Sequence, residues 1–525
     1  MIINRPLMKK NIFIIFLLLL GAGIQVGWGQ EKPTQGPILE KIILEGNTAF
    51  STDGLLKELP FTIGTVYSRP MVLEGKYYLS NYYLDHGYKY VQVTHETFAA
   101  ETGNQVQLIY HLEEGAPAYI GDIQIQGNNK TEDQVILREL LFKPGDLYRR
   151  KDIFESHNRL LALNFFEEVR IEEAQPESID TTVDFIVKVV EKNTGMLSFG
   201  GGFSTEEGIR GYTRYRQSNL FGLGQQLSAG VKWAERGQAY QRSREVRMDF
   251  FEPHLLGTDI GLGTEDYYRR ENLDNYDLFR LGGSIYLNSR LIDPQTQGTL
   301  RFRAENDKTF NITNTLDPEL MALEDKSQWV TMFSLNLTHD TRNNIISPTQ
   351  GHIYSVDAGL ASELFGGDIN FLQWGLEGQW YMPVKKSDWI LALRASTDYM
   401  EPFGGTNDIP IYERIFAGGA DSVRGFKERY LGPKDLDGYP SGGRFSLIYN
   451  AELRFPVYKS FGGVVFYDAG NVWDTMKDFD PSDIKHSIGA GVRYQTPIGP
   501  LRFDYGIQIP QEDNGRFHFS VGQTF

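Results

Sequence analysis

The C-terminal strands alternate in a way that few environments accommodate. In Leu501-Arg-Phe-Asp-Tyr-Gly-Ile-Gln-Ile509, Leu501, Phe503, Tyr505, Ile507 and Ile509 share one face, and Arg502, Asp504 and Gln508 share the other. The final segment sets Phe517, Phe519, Val521 and Phe525 against Arg516, His518, Ser520 and Thr524. Phe445, Leu447, Tyr449, Ala451, Leu453 and Phe455 repeat the scheme against Asn450, Glu452 and Arg454. Successive side chains of a strand point to opposite faces. A face that collects Arg, Asp, Glu, His and Asn cannot be a dry core, and the face opposite is aromatic. That pattern is inside-out for water and correct for lipid.

The pattern extends back to Asn193. Segments of roughly ten residues begin near Gly195, Ile209, Gln225, Ser243, Leu256, Asn275, Gly298, Gln328, Gly351, Ile369, Asp388, Arg444, Gly462, Lys485, Leu501 and Asn514. That makes about sixteen strands, an even number, as a bacterial barrel requires. The 55 Gly, 28 Tyr and 33 Phe suit such a sheet, whose alternation averages to an unremarkable mean hydropathy of −0.36. No stretch past the N-terminus is apolar over the ~20 residues a spanning helix needs. A net charge of −16 argues against a nucleic-acid partner. The absence of cysteine excludes disulfides, thiol chemistry and thiolate metal sites.

The N-terminal third reads differently. Lys9-Lys10, the apolar run Ile12 to Leu20 and Gly27-Trp-Gly29 make a secretory signal peptide over residues 1–29. From Ile38 to about Lys192, adding 81 to a position lands on a like residue: Gly46-Asn47 on Gly127-Asn128, Glu58-Leu59 on Glu139-Leu140, Phe61 on Phe142, Gly64 on Gly145, Tyr67 on Tyr148. Each unit reads strand, short helix, longer helix, two strands, the second unit's short helix falling over Thr131 to Leu141. The order is β-α-α-β-β, with helices covering one face of a small sheet. The expected organisation is two α+β repeats, 30–115 and 116–192, followed by an all-β transmembrane antiparallel barrel over 193–525 with a long extracellular loop at 401–443.

Inside that loop lies Gly418-Gly-Ala-Asp-Ser-Val-Arg-Gly-Phe426, and long loops tend to be functional. This motif, together with Phe466-Tyr-Asp-Ala-Gly-Asn-Val-Trp473, Asp340-Thr-Arg342, Glu452-Leu-Arg-Phe-Pro456 and the ending Phe517 to Phe525, resembles the BamA/TamA superfamily of outer-membrane assembly factors, also described as bacterial surface antigens. The repeats are similar to that superfamily's POTRA domains. The resemblance covers essentially the whole chain after the signal peptide. It departs in repeat number, since typical BamA proteins carry five such domains and two are read here.

The resemblance implies insertion of other barrel proteins into the outer membrane, the N-terminal domains lying in the periplasm. Its partners would be unfolded outer-membrane barrel proteins, outer-membrane lipids and accessory periplasmic lipoproteins. A two-partner secretion transporter also carries two POTRA domains, and a passive porin-like channel is the alternative from another class. Histidines are few and scattered, and no nucleophile elbow or metal-ligand spacing occurs, so no catalytic site, cofactor or metal is expected.

Two groups of residues stand out. Val423, Arg424, Gly425 and Phe426 would lock the loop. A guanidinium offers a planar fork suited to carboxylates, and Glu452 on a polar strand face is one candidate. Asp468 is another; it shares a face with Val464 and Phe466, so alternation leaves its direction open, and the resemblance implies that it points inward. Ser198-Phe-Gly-Gly-Gly-Phe203 weakens the first barrel strand, as glycine does; equally, those glycines would relieve crowding at barrel closure. The resemblance implies a lateral gate of Phe199, Gly200, Gly201 and Gly202 against Phe517, Phe519, Val521 and Phe525.

Overall fold

The computed structural model describes residues 36–521 apart from 101–103, 177–179, 205–207, 237–240, 314–317, 324, 385–387, 497–499 and 511–514. The signal peptide read at 1–29 and the terminal Phe525 lie outside the described residues. Packing divides the chain into two compact units. One runs to Ile123 and takes in Phe142–Phe154 and Glu173–Phe185; the other holds Gln124–Leu141, Glu155–Glu172 and the chain from Ile186 on.

The first repeat consists of β1 (Ile38–Glu45), helices Thr52–Glu58 and Arg69–Asp85, β2 (Gln92–Ala99) and β3 (Gln105–Glu113). β3 lies between the others, parallel to β1 and antiparallel to β2. Helix Arg69–Asp85 starts where Ser68 accepts from the Met71 amide and Pro70 fixes the first turn. Its inward face buries Leu79 and Tyr83 against Leu39, Leu55 and Leu108. The second repeat has β4 (Tyr119–Gln126), helices Asp133–Leu137 and Arg150–Ala162, β5 (Phe166–Glu173) and β6 (Thr182–Glu191), in sheet order β4-β6-β5. Its short helix covers only part of the span expected from Thr131 to Leu141: Thr131 is spent in the turn before it, and the chain closes in tight turns after Leu137.

The 81-residue echo has a physical cause. Gly46 and Gly127 sit at φ +88° and +91°, where a Cβ would fall 2.1 Å and 2.0 Å from the carbonyl oxygens of Leu112 and Val189. Only glycine passes the end of the partner strand there. Each turn is then held by a carboxylate: Glu114 accepts from the amides of Thr48 and Ala49, Glu191 from those of Asn129, Lys130 and Thr131. Burial raises the pKa of both carboxyls, but hydrogen bonds from the Thr48 and Thr131 side chains, together with these amides, outweigh it and hold both below the ordinary glutamate value.

The remaining chain is one antiparallel sheet of 16 strands. They are β7 (Gly195–Ser204), β8 (Gly208–Leu220), β9 (Gln225–Arg236), β10 (Gln241–Glu252), β11 (Gly261–Asn272), β12 (Asp277–Arg290), β13 (Thr296–Phe310) and β14 (Ser327–Asp340). β15 (Gly351–Ala361), β16 (Phe371–Pro383), β17 (Ile390–Pro402), β18 (Phe445–Tyr458), β19 (Phe461–Trp473), β20 (Lys485–Tyr494), β21 (Leu501–Ile509) and β22 (Arg516–Val521) complete it. Each pairs with its sequence neighbours, and β7 and β22 are the two ends of the order. No described helix is long and apolar enough to cross a membrane; most strands reach the ~9–11 residues that a crossing strand needs.

Burial shows which face is inside. On β21, Arg502 and Asp504 are buried while Phe503 and Tyr505 are exposed; on β18, Asn450 and Glu452 are buried while Tyr449 is exposed. One strand begins later than its sequence suggests. Leu255–Gly257 is a 3-10 turn with Leu256 at φ +53°, so the strand expected at Leu256 begins at Gly261. The long connection runs from 403 to 444, slightly displaced from the expected 401–443, because β17 continues to Pro402 and β18 starts at Phe445. It is ordered by its own bridges, Ile415 with Gly443 and Ala417 with Leu431.

Candidate functional site

The loop brings Arg424 onto the inner faces of β18, β19 and β21. Arg424 is 0% exposed, as are Glu452 and Asp468. Its Nε and Nη2 donate to the two oxygens of Asp468 at 2.8 and 2.7 Å, and its own amide donates to the same carboxylate at 3.1 Å. Nη1 donates to Glu452, with Asp504 at 3.4 Å. Asp468 also accepts from Asn450, its partner in strand register. Glu452 is shared with Arg454, and Asp504 with Arg493. Three guanidiniums, those of Arg424, Arg454 and Arg493, thus meet three carboxylates. A buried ion needs such compensation, and taking away one partner of a buried pair costs about 3–5 kcal/mol.

Phe466 explains why alternation left Asp468 open. Both side chains face inward, and the Phe466 ring lies under the guanidinium, its centroid 3.4 Å from Arg424 Cζ. An apolar residue on this polar face is a platform for a buried cation.

The backbone of the loop is held just as closely. His518 Nε2 donates to the Arg424 carbonyl at 2.6 Å and Gln508 to the Gly425 carbonyl at 3.0 Å. A Cβ on Gly425 would lie 2.7 Å from Ser487 Cβ, and one on Gly506 2.8 Å from the Arg424 carbonyl, so glycine on both surfaces permits the approach. Val423 is buried in a cluster with Ala417, Leu431, Ile448 and Val472, against which Phe426 packs.

A second clamp holds the same loop further round the sheet. Glu413 accepts from Arg303 at 2.8 Å and Arg280 at 3.4 Å, and Arg280 also donates to the Tyr412 carbonyl at 2.7 Å. Glu305, Asp307 and Glu413 bring oxygens within 4.8 Å of one another. Arg280 and Arg303 already occupy the space among them, so the group works as an ion-paired clamp, and a dication would have to displace two guanidiniums. Asp504, Arg493, Asn450 and His518 do not stand out in the sequence as members of this site, although all but Arg493 fall on polar faces there, and the Glu413 clamp is not visible in it at all. The usable signal is opposite charge on neighbouring polar faces.

The residues expected to form a gate occupy, where described, the ends of the sheet. Phe199, Gly200, Gly201 and Gly202 lie on β7, with Phe199 80% exposed. Phe517, Phe519 and Val521 lie on β22. Among the described residues no hydrogen-bonded ladder joins β7 to β22. The rings of Phe203 and Phe519 stack across this seam, centroids 6.3 Å apart and planes at 22°.

The Omp85 superfamily domain model matches residues 219–525, more than half of the chain. The chain belongs to the Omp85 superfamily. The surface antigen variable number repeat, or POTRA, model matches twice, over 37–115 and 118–192. Among curated relatives, the outer membrane protein assembly factor BamA of Nitratidesulfovibrio vulgaris is 29% identical over 85% of this chain and 56% of its own length. BamA of Neisseria meningitidis serogroup B is 24% identical over 92% of this chain and 66% of its own. This Omp85 chain therefore spans between about half and two thirds of these relatives. In fold it is similar to the crystal structure of BamA from Haemophilus ducreyi lacking POTRA domains 1-3, with a TM-score of 0.76 at 23% identity, covering 93% of this chain and 99% of that one. As an Omp85 protein it resides in the outer membrane, with its POTRA domains in the periplasm.

Proposed function

We propose that this chain is an outer-membrane protein assembly factor that receives unfolded barrel proteins on its POTRA repeats and inserts them through the β7–β22 seam. The observation that carries the reading is the break in an otherwise continuous sheet: β7 and β22 are its ends, and no described ladder closes them. An unpaired strand edge in lipid costs several kcal/mol per unsatisfied group. A barrel that offers its own edge as a template relieves that cost for an incoming strand. The repeats, with bounds 30–115 and 116–192, supply further edges at β1, β2, β4 and β5, where an extended segment can add by main-chain bonds. Outer-membrane lipids surround the barrel of 193–525, and accessory periplasmic lipoproteins would dock on the repeats. The Arg424 anchor keeps the loop folded on the wall beside the seam. The reading assigns no catalytic chemistry.

Reconstitution tests it. Purified protein in liposomes should convert an added unfolded barrel protein to its heat-modifiable, protease-resistant form faster than empty liposomes do. Steady ion conductance without any insertion would support a channel and overturn the reading. Delivery of the polypeptide into the vesicle interior would support a secretion transporter instead.

A further inference from the structure

The inner faces of β7, β8 and β9 differ from the rest of the wall. Register places Met196, Ser198, Gly200 and Gly202 of β7 beside Arg216, Arg214, Tyr212 and Arg210 of β8, and sets Tyr212 opposite Lys232 of β9. Further round the sheet, arginines on the polar face are matched: Arg247, Arg269, Arg301, Arg394, Arg454 and Arg493 each have a carboxylate within 4.0 Å. Among the described residues, Arg214, Arg216 and Lys232 have none. Glu245, the register partner of Lys232, is taken by Arg269 at 2.8 Å.

Arg214 and Arg216 stand beside a strand with little on it, and Lys232 lies one strand further back. A Cβ on Gly200 would lie 2.7 Å from the Tyr212 ring, and one on Gly202 3.5 Å from Arg210 Nε. Side chains of β8 therefore already extend across the inner face of β7 towards its free edge. Neighbouring strands lie about 4.8 Å apart, so a strand paired at that edge would run about 9–10 Å from β8. An extended guanidinium and a carboxylate side chain bridge that distance past Ser198, which stands beside Arg214, and past the exposed, unbranched Met196 beside Arg216. Arg214 and Arg216 sit two residues apart on one face, about 6.5–7 Å along the strand, the spacing of carboxylates at alternate positions of an extended segment.

We infer that Arg214 and Arg216, with Lys232 one strand behind them adding to the positive field, form a cationic strip that selects, at the free edge of β7, extended client segments carrying carboxylates at alternate, lumen-facing positions. The inference rests on the assembly reading and adds to it the chemistry of the preferred segment. Charge complementarity names the occupant. It also separates that occupant from the chain's own last strand, whose inner face carries Arg516 and His518 and no carboxylate among the described residues. Against the strip, β22 is a poor partner and an acidic strand a good one.

The test compares one barrel client in two versions, its terminal strand bearing either Asp or Asn at the alternate lumen-facing positions, using the full chain in liposomes. Wild type should insert the Asp version about three- to tenfold faster, the scale of two partly exposed ion pairs. In the R214Q/R216Q/K232Q variant, checked for an intact barrel by heat modifiability, that ratio should fall to about one. R214E/R216E should reverse it in favour of a Lys-bearing strand. A ratio near one in wild type, or an unchanged ratio in the variant, overturns the inference. So does equal slowing of both clients that depends on anionic phospholipid in the liposomes, which would assign the strip to lipid headgroups. Peptides of the two terminal strands, titrated against the detergent-solubilised chain at low and high salt, separate the two claims. If neither client inserts, the assembly reading fails, while a salt-sensitive preference for the Asp peptide, lost in the variant, still upholds the strip, and equal binding sinks it.

Discussion

Two walls flank the seam, and they are built to opposite rules. On β18–β21, cations of the inner face meet carboxylates, and the loop inserts a buried arginine among them. On β7–β9, the same alternation presents glycines together with Arg214, Arg216 and Lys232, which no carboxylate answers among the described residues. Period-two patterning decides which way a side chain points; it does not decide whether the wall is stiff. Stiffness comes from the loop. It is pinned by a cation at Arg424 and by an anion at Glu413, eleven positions apart, to strands on different parts of the sheet. Each anchor is specific in sign, so exchanging the two would place like charges together. If the seam opens as proposed, the side that gives should be β7.

The contrast disappears if the yielding side is tied to the fixed one. Cysteines at Phe203 and Phe519, whose rings already stack across the seam, should form a disulfide in this otherwise cysteine-free chain and abolish client insertion. Reductant should restore it. Oxidised protein that still inserts clients at the reduced rate would show that the seam does not open during assembly. Next in size is damage to the fixed wall. Arg424→Ala leaves Asp468 buried without its cation, while Glu452 keeps Arg454, at a cost of about 3–5 kcal/mol. Trypsin should then cut the loop at Lys427 and Arg429, and assembly should fall. Asp468→Ala should do the same. Arg424→Lys, which keeps the charge but loses the planar fork, should cost less. A loop that stays protease-resistant in Arg424→Ala would mean that the apolar cluster around Val423 holds it alone.

Much of this architecture is legible in the sequence, and what is not has identifiable causes. The repeat can be read because Gly46 and Gly127 meet one steric demand twice. The barrel can be read because burial follows period two on strands such as β21. Arg424 stands out as a charge inside a glycine-rich loop, but its partners are only half visible. Asp504 and Asn450 fall on polar faces, yet strand register, not composition, decides which polar residues converge. Asp468 is obscured by Phe466, whose inward place makes sense only once the arginine lies on it. The Glu413 clamp leaves no trace because a loop has no period from which to infer direction. Leu255-Leu256 looks like the start of a strand, and nothing in their apolar character announces a 3-10 turn.

The smallest predicted effect separates the two explanations for the glycines of β7. If glycine is there to relieve crowding, a Cβ must strike something; if it is there to weaken the strand, a Cβ that fits should strengthen it. Position 200 meets the first condition, since a methyl group added there would lie 2.7 Å from the Tyr212 ring. Position 202 meets the second, with only ordinary contact to Arg210 at 3.5 Å. Replacing an interior strand glycine that has room for a methyl group should stabilise by about 0.5–1 kcal/mol. Gly202→Ala is therefore expected to slow hydrogen exchange of the β7 amides by about two- to fivefold and to slow client insertion correspondingly. Gly200→Ala should give no such protection, since Tyr212 must move to admit it. If both substitutions leave exchange along β7 unchanged, glycine does not set the give of this strand, and the contrast between the two walls rests on charge alone.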